Sequence, residues 1–472
     1  MRQTSDWIGV STKRTKANNR VTSLLKLLPL ICILSGCSTT SERIAFDNAL
    51  SQKQYQLAEN IALDEGTKNN QATELLWSLE AGSMLRYNGK QSQSTTIFDS
   101  SEELIKGEEL KSGVSSGLSL TASLLINDNV TSYQPRVYDR VMVNTYKALN
   151  FWALGDFTNA RVEWNRTDER QRRAAEYFSK EILQQKERLS FSSKEVNNSL
   201  SKSMDVLDAS GVDVEKWIPY SDYINPGSLY LHGLYFLLNG EGSGDFDRAR
   251  VSLSRAYAMT RNSQIAADLR LVKNGRNQPP AVWVIFENGT AARKREMRID
   301  LPLFIVSNNI SYAGIALPVL NSGTPAYSHL IVNGQKKTQS FATMDRVIKG
   351  EFKTEFTTIL IKELTRAISK TVAQSSLLNS DDKTVRLIGQ IFAVAQVATT
   401  QADLRSWHAL PYEFQVARVN WPKNGQFTLS TSDGNLIRVD LPSTPQPIIV
   451  YVRAITAGEN PQVEILMSKN AL

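Results

Sequence analysis

Cysteine is almost absent from this chain. Its two cysteines, Cys32 and Cys37, lie near the N-terminus of 472 residues, so the body of the chain offers no disulfide framework, no thiol nucleophile and no cysteine metal site. Histidine is nearly as scarce. His232, His329 and His408 lie far apart, with neither H-E-x-x-H nor any other paired zinc-ligand spacing. Long hydrophobic runs are missing as well: the N-terminal one, Leu24 to Leu34, is broken by Lys26 and Pro29 and is too short to span a bilayer. No metal, cofactor or catalytic residue is expected.

That short run follows five basic residues and one acid, Lys26 within it being the sixth base of residues 1–36, and it reads as an export signal. Leu34-Ser35-Gly36-Cys37 stands directly after it and resembles the lipobox of bacterial lipoproteins, which implies cleavage before Cys37 and a lipid on its sulfur. Ser38, where a retention signal would place Asp, implies the outer membrane. Losing residues 1–36 removes six of the 54 basic and one of the 47 acidic residues and lowers the net charge from +7 to +2. A nucleic-acid partner thereby loses its main support. Residues 37–48 are expected to be a lipidated tether.

Repetition organises residues 49–275. In Val141 to Phe178, Val141, Thr145, Ala148, Leu149 and Trp152 share one helix face. Gly155-Asp156 marks a turn, and Phe157, Ala160 and Trp164 form the face of a second helix. Gly155, Phe157, Ala160 and Trp164 have the skeleton of a tetratricopeptide (TPR)-type hairpin. The pattern returns at Gly244, Phe246 and Ala249, more loosely from Leu75 through Gly89 to Phe98, and again at Tyr55 to Ala58. A single hairpin leaves apolar surface uncovered, so the copies are expected to stack as a small TPR-like α-solenoid. Candidate interaction residues on it are Asn150, Asn159, Arg161 and Arg248.

Two short motifs suggest chemistry without its context. Gly113-Val114-Ser115-Ser116-Gly117 fits G-x-S-x-G but follows a charged, helix-like stretch rather than a strand, and Ser199 to Lys202 fits S-x-x-K without its companion motifs. Close helix packing explains the glycines better than an envelope hydrolase built on Ser115. Arg166, Arg170, Arg172 and Arg173 could form a basic binding face, yet Asp168, Glu169 and Glu176 stand four residues before bases, the signature of a solvated helix.

The period changes at Asn274 to Pro280, where proline cannot continue a helix. Residues 276–472 are expected to be a mainly antiparallel β domain with two inserted helices, giving an α+β chain. Ile348, Phe352, Phe356, Ile359, Leu360, Leu364 and Ile368 line one helix; Ile388, Ile391, Phe392 and Val397 belong to the other. Arg405 and Trp407 are candidates for a recognition spot. The weightier reading has Trp407 filling a helix–sheet junction while Arg405 pairs with Asp403.

The lipobox, Asn150 with Gly155-Asp156 and Ala160-Arg161-Val162-Glu163, Phe286-Glu287-Asn288-Gly289, and Asp403 to Trp407 before Leu410-Pro411 together resemble a family of uncharacterised Gram-negative envelope lipoproteins. That resemblance implies topology and compartment, not an activity. The functional expectation is an outer-membrane-anchored, periplasm-facing scaffold for envelope assembly or maintenance. Its partner would be an envelope protein or peptide segment. The alternatives are a hydrolase, or a structural lipoprotein that bridges the outer membrane to peptidoglycan.

Overall fold

The computed structural model describes residues 41–68, 73–114, 131–191, 194–304, 310–378, 401–423 and 425–469. Cys37, Ser115 and the helix expected around Ile388 lie outside those residues. The chain is α+β, with helices first and mostly antiparallel sheets after.

Helices α1 (residues 41–51), α2 (Tyr55–Gly66), α3 (Glu74–Tyr87), α4 (Gln91–Val114), α5 (Val137–Ala153) and α6 (Phe157–Phe191) pack as consecutive pairs. Three of the connections have the same geometry. The amide of the last turn residue donates to the carbonyl five residues back, Gln54 to Ala49, Lys90 to Leu85 and Asp156 to Phe151, each at 2.8 Å. The residue before it is left-handed: Lys53 at φ 62°, Gly89 at 75° and Gly155 at 75°. This is the Schellman ending, in which orphan helix carbonyls find donors only if one residue tolerates positive φ. Asp156 then opens α6 by accepting the Asn159 amide at 3.0 Å. Five residues past each left-handed position stand Ala58, Ser94 and Ala160, and nine past stand Ala62, Phe98 and Trp164, all fully buried.

The copy closest in sequence departs from this geometry. Helix α7 is Lys194–Ala209, and α8 (Pro226–Asn239) joins α9 (Ser243–Thr260) through Gly240 to Gly242. Gly244 therefore sits inside the first turn of α9 with open space around it, rather than at a left-handed turn. Ala249 keeps its buried packing role, and Phe246 is half-buried. The tether expectation also changes, because residues 41–48 belong to α1, where Phe46 and Leu50 are buried and Phe46 meets Trp77 edge-on at 5.7 Å.

Helix α10 (Ser263–Leu271) leads to the sheets. Strand β1 (Ala281–Asn288) is central in a five-stranded sheet ordered β11-β10-β1-β7-β6, with β6 Gln339–Thr343, β7 Glu413–Asn420, β10 Ile448–Ala454 and β11 Gln462–Met467. Its neighbours pair antiparallel except β10, which runs parallel to β1. Period-two alternation assigns its two faces. Trp283 and Ile285 enter the core with the helices, whereas Val282, Val284 and Phe286 pack towards a four-stranded sheet ordered β5-β4-β8-β9. Those strands are β4 Leu330–Val332, β5 Lys336–Lys337, β8 Phe427–Thr431 and β9 Leu436–Val439. A strand covered on both faces reads as a continuous apolar run, as β1 does.

A long ribbon of β2 (Arg293–Phe304) and β3 (Ile310–Asn321) packs with α7 and α11 (Met344–Leu378) around Trp217, Leu317, Phe352 and Phe356. Helix and strand meet without separate cores. Leu149, Trp164 and Leu234 share one apolar cluster with Trp283, Trp407, Phe414 and Ile449. At the centre, α8 is buried on every side, and Asn225 caps it by accepting the Gly227 and Ser228 amides at 2.9 and 3.4 Å. Such a helix is apolar all round because it has no solvent face. Among the described residues no helix is long and apolar enough to cross a membrane.

Candidate partner-binding grooves beside the longest repeat helix

Of the four candidate interaction residues on the helices, Asn159, Arg161 and Arg248 keep accessible surface, whereas Asn150 lies on a face that the chain's own C-terminal half covers. Glu80 of α3 accepts the His408 and Ala409 amides at 2.7 and 2.9 Å. Trp152 of α5 donates its indole N–H to the Met467 carbonyl at 2.6 Å. Asn150, expected at an interface, is fully buried: Arg86 Nη1 donates to its Oδ1 at 2.7 Å, and its Nδ2 donates to Ser94 Oγ at 2.9 Å. Trp407 is likewise core, with its indole N–H on Ser83 Oγ at 3.0 Å. Arg405 grips Asp403 through Nε and Nη2 at 2.9 and 2.8 Å. Burial alone would raise the Asp403 pKa, but Arg405 and Lys294 outweigh it and hold the carboxyl well below its usual range. Neither Trp407 nor Arg405 forms a recognition spot.

Helix α6 separates two open grooves on the opposite side. One, of about 520 Å³, lies between α4 and α6 with Lys147 and Phe151 of α5 beneath it. The other, of about 470 Å³, lies between α6 and α9 with His232 of α8 beneath it. Val162 and Arg166 border both. Val162 is 41% exposed and so leaves an apolar side chain between the two grooves.

Lys147 is a buried cation held by three carboxylates: Asp99 at 2.7 Å, Glu163 at 3.1 Å, and Glu102 in a short contact. Burial alone would lower its pKa, but the Asp99 and Glu102 hydrogen bonds and the Glu163 charge prevail and raise it. Asn144 Nδ2 ties Glu102 to Glu163 at 2.9 and 2.6 Å, and Arg170 Nη2 reaches Glu102 at 2.9 Å. This network fastens α4, α5 and α6 together. It also withdraws Arg170 from the basic face weighed for α6 against a solvated helix.

The second groove is differently charged. Arg161 binds Asp245 through both terminal nitrogens and links α6 to α9. Arg248 lies 3.5 Å from that same, already occupied carboxylate and is half exposed. Arg172 is exposed beside Asp168 and Glu169, at 3.2 and 2.9 Å. Burial, then the charges of Arg248, Arg172 and Arg255, press the His232 pKa down to about 3. Ser252 Oγ lies 2.8 Å from its Nδ1. Both side chains are buried in the seam between α8 and α9. Asn159 is exposed and bonds Asp156 Oδ2 at 2.7 Å.

A smaller cavity of about 70 Å³, room for one or two waters, lies at the helix–sheet seam among Arg86, Tyr146, Glu287, Tyr451, Arg453 and Glu464. Glu287 accepts the hydroxyls of Tyr146 and, at 2.7 Å, Tyr451. Burial, reinforced by the Glu287 charge, pushes both phenols well above their usual pKa. An acid ending an otherwise apolar strand was the one sequence signal for this seam. The pairing of His232 with arginines from two other helices, α6 and α9, had none. Among the described residues no group of His, Cys, Asp and Glu is arranged to hold a metal ion. No family model, curated protein or solved structure matches the chain.

Proposed function

We propose that the chain is a lipid-anchored envelope scaffold that binds a protein partner along the open side of α4, α6 and α9. The observation that carries this reading is the pair of grooves flanking α6, bordered by exposed Val162 and by charged side chains left accessible after the chain has covered its own inner helix face. The TPR-like reading of the helices is supported by three equivalent turns and by the small residue buried five positions after each. Cys37 in its lipobox supports the anchor, and Ser38 supports the outer membrane. The resemblance of its sequence motifs to those of Gram-negative envelope lipoproteins is what supports a role in envelope assembly or maintenance. A lipid tether would raise the scaffold's effective concentration for partners at that membrane.

Two measurements test this together. Palmitate labelling of cells should mark the wild-type chain and not Cys37→Ser. Photo-crosslinkers at Val162 and Asn159 should capture one defined partner that a crosslinker at Leu436, on the far sheet, does not. An unlabelled chain would remove the anchor, and equal capture from all three positions would remove the binding face.

A further inference from the structure

The groove between α6 and α9 is the more selective of the two, because its floor lies in a positive field. Arg166, Arg172 and Arg248 border it, and Arg255 stands beside them, 3.8 Å from Asp168. Asp168 and Glu169 are the acids on the same walls. His232 reports which sign prevails at the floor: the charges acting on it are Arg248, Arg172 and Arg255, and all three disfavour the imidazolium. Arg248 borders the groove and is only loosely engaged. Its neighbour Asp245 already accepts Arg161 at 2.8 Å and the Glu241 amide at 3.0 Å, leaving Arg248 at 3.5 Å with its guanidinium over the Phe236 ring.

We propose that this groove binds an acidic polypeptide segment, with a carboxylate seated on Arg248 and Arg172 above His232 and an apolar side chain against Val162. The proposal rests on the scaffold reading and names the chemistry of its partner. A planar guanidinium with free donors suits a carboxylate, which it can take through two parallel hydrogen bonds. Exposed Val162 favours an extended peptide, which carries an apolar side chain beside an acidic one. A flat anionic membrane is disfavoured, because the exposed acids Asp99 and Glu103 border the adjoining groove across α6 and would face it.

The test is fluorescence anisotropy on the full chain in detergent, with a labelled heptapeptide of glutamate and leucine, its lysine counterpart, and phosphatidylglycerol vesicles as probes. The acidic peptide should bind, weaken as salt rises, and lose about ten- to a hundredfold affinity in Arg248→Glu, the range expected for one charge-assisted contact. Arg173→Glu, on the exposed part of α6, should change little. In wild-type protein the same peptide should shift the His232 ring NMR resonances at neutral pH, because a carboxylate then arrives above the imidazole. That readout does not depend on any variant folding. Equal binding of the lysine peptide, or an unmoved His232, would overturn the proposal. Binding of vesicles that Arg248→Glu abolishes would assign the groove to a membrane surface instead. If crosslinking from Val162 still captured a defined partner after either result, the scaffold reading would stand while the acidic segment fell.

Discussion

The carboxylate of Glu80, fully buried on α3, holds the backbone of His408: its two oxygens accept the amides of His408 and Ala409 at 2.7 and 2.9 Å, and Arg43 donates to it at 2.6 Å. One side chain thus fastens the first helix pairs to a segment more than 300 residues away. Glu80→Ala would orphan two buried amides and a guanidinium. The expected cost is about 3 kcal/mol of stability, measured by urea unfolding. A loss under about 1 kcal/mol would mean that the segment is held by apolar packing alone.

The three equivalent turns make opposite predictions at equivalent positions. Lys53 occupies the left-handed site that glycine fills at Gly89 and Gly155. Lys53→Gly should therefore raise stability by about 1 kcal/mol, and Gly155→Ala should lower it by a similar amount. Thermal unfolding of the two variants checks both signs.

Close approach within a pair is tested at Gly82. A β-carbon there would stand 2.6 Å from the Phe98 ring, so Gly82→Ala must push α3 and α4 apart. A loss of about 1–3 kcal/mol is expected. Trimming the ring in the double variant with Phe98→Leu should recover part of it, an interaction that a double-mutant cycle would report.

Glu351 of α11 caps α5 by accepting the Val137 and Tyr138 amides at 2.8 and 3.2 Å. Burial first, then the charges of Glu355 and Asp139, raise its pKa to about 8, against the opposing Val137 hydrogen bond and Arg136. The folded state then keeps a proton that the unfolded state releases above the ordinary glutamate pKa. Stability from this group is present at pH 5 and declines as pH rises to 8. Glu351→Gln keeps an acceptor for the helix amides and removes the titration. The variant should gain on the wild type between pH 5 and 8, by at most about 1.4 kcal/mol per pH unit. Asp139, which burial raises to about 6, titrates in both proteins and largely cancels in the comparison. A constant difference across that range would show that Glu351 stays ionised.

Much of the helical half was legible because its signals are local. Glycine followed by Asp156 announces a helix end and a new cap within three residues, and both form. Periodicity on α5 was also correct in substance, since Val141, Thr145, Ala148, Leu149 and Trp152 are all buried. It misled at Asn150 because α5 is covered all round, so a polar residue off the apolar face meets Arg86 and Ser94 rather than solvent. Gly244 kept the sequence pattern and lost the turn because α9 begins before it, at Ser243. The parallel pairing of β1 with β10 joins Val282 to Ile448, and no local period reports a contact at that separation. The grooves are non-local in the same way. Arg172 and Arg248 each look like a solvated helix charge, and only the approach of α6 to α9 sets them around His232.

The helices have a closed inner face and an open outer one, and amide hydrogen exchange at His408 and Ala409 tests that most directly. If the chain permanently fills its own inner face, these two amides exchange only through global unfolding, with the free energy that urea gives for the whole protein. Their protection should not fall when the acidic peptide binds across α6. Exchange through a smaller opening, accelerated by the bound peptide, would contradict the account: residues 402–411 would then be a releasable strap, and the inner face of α3 and α5 the true binding surface.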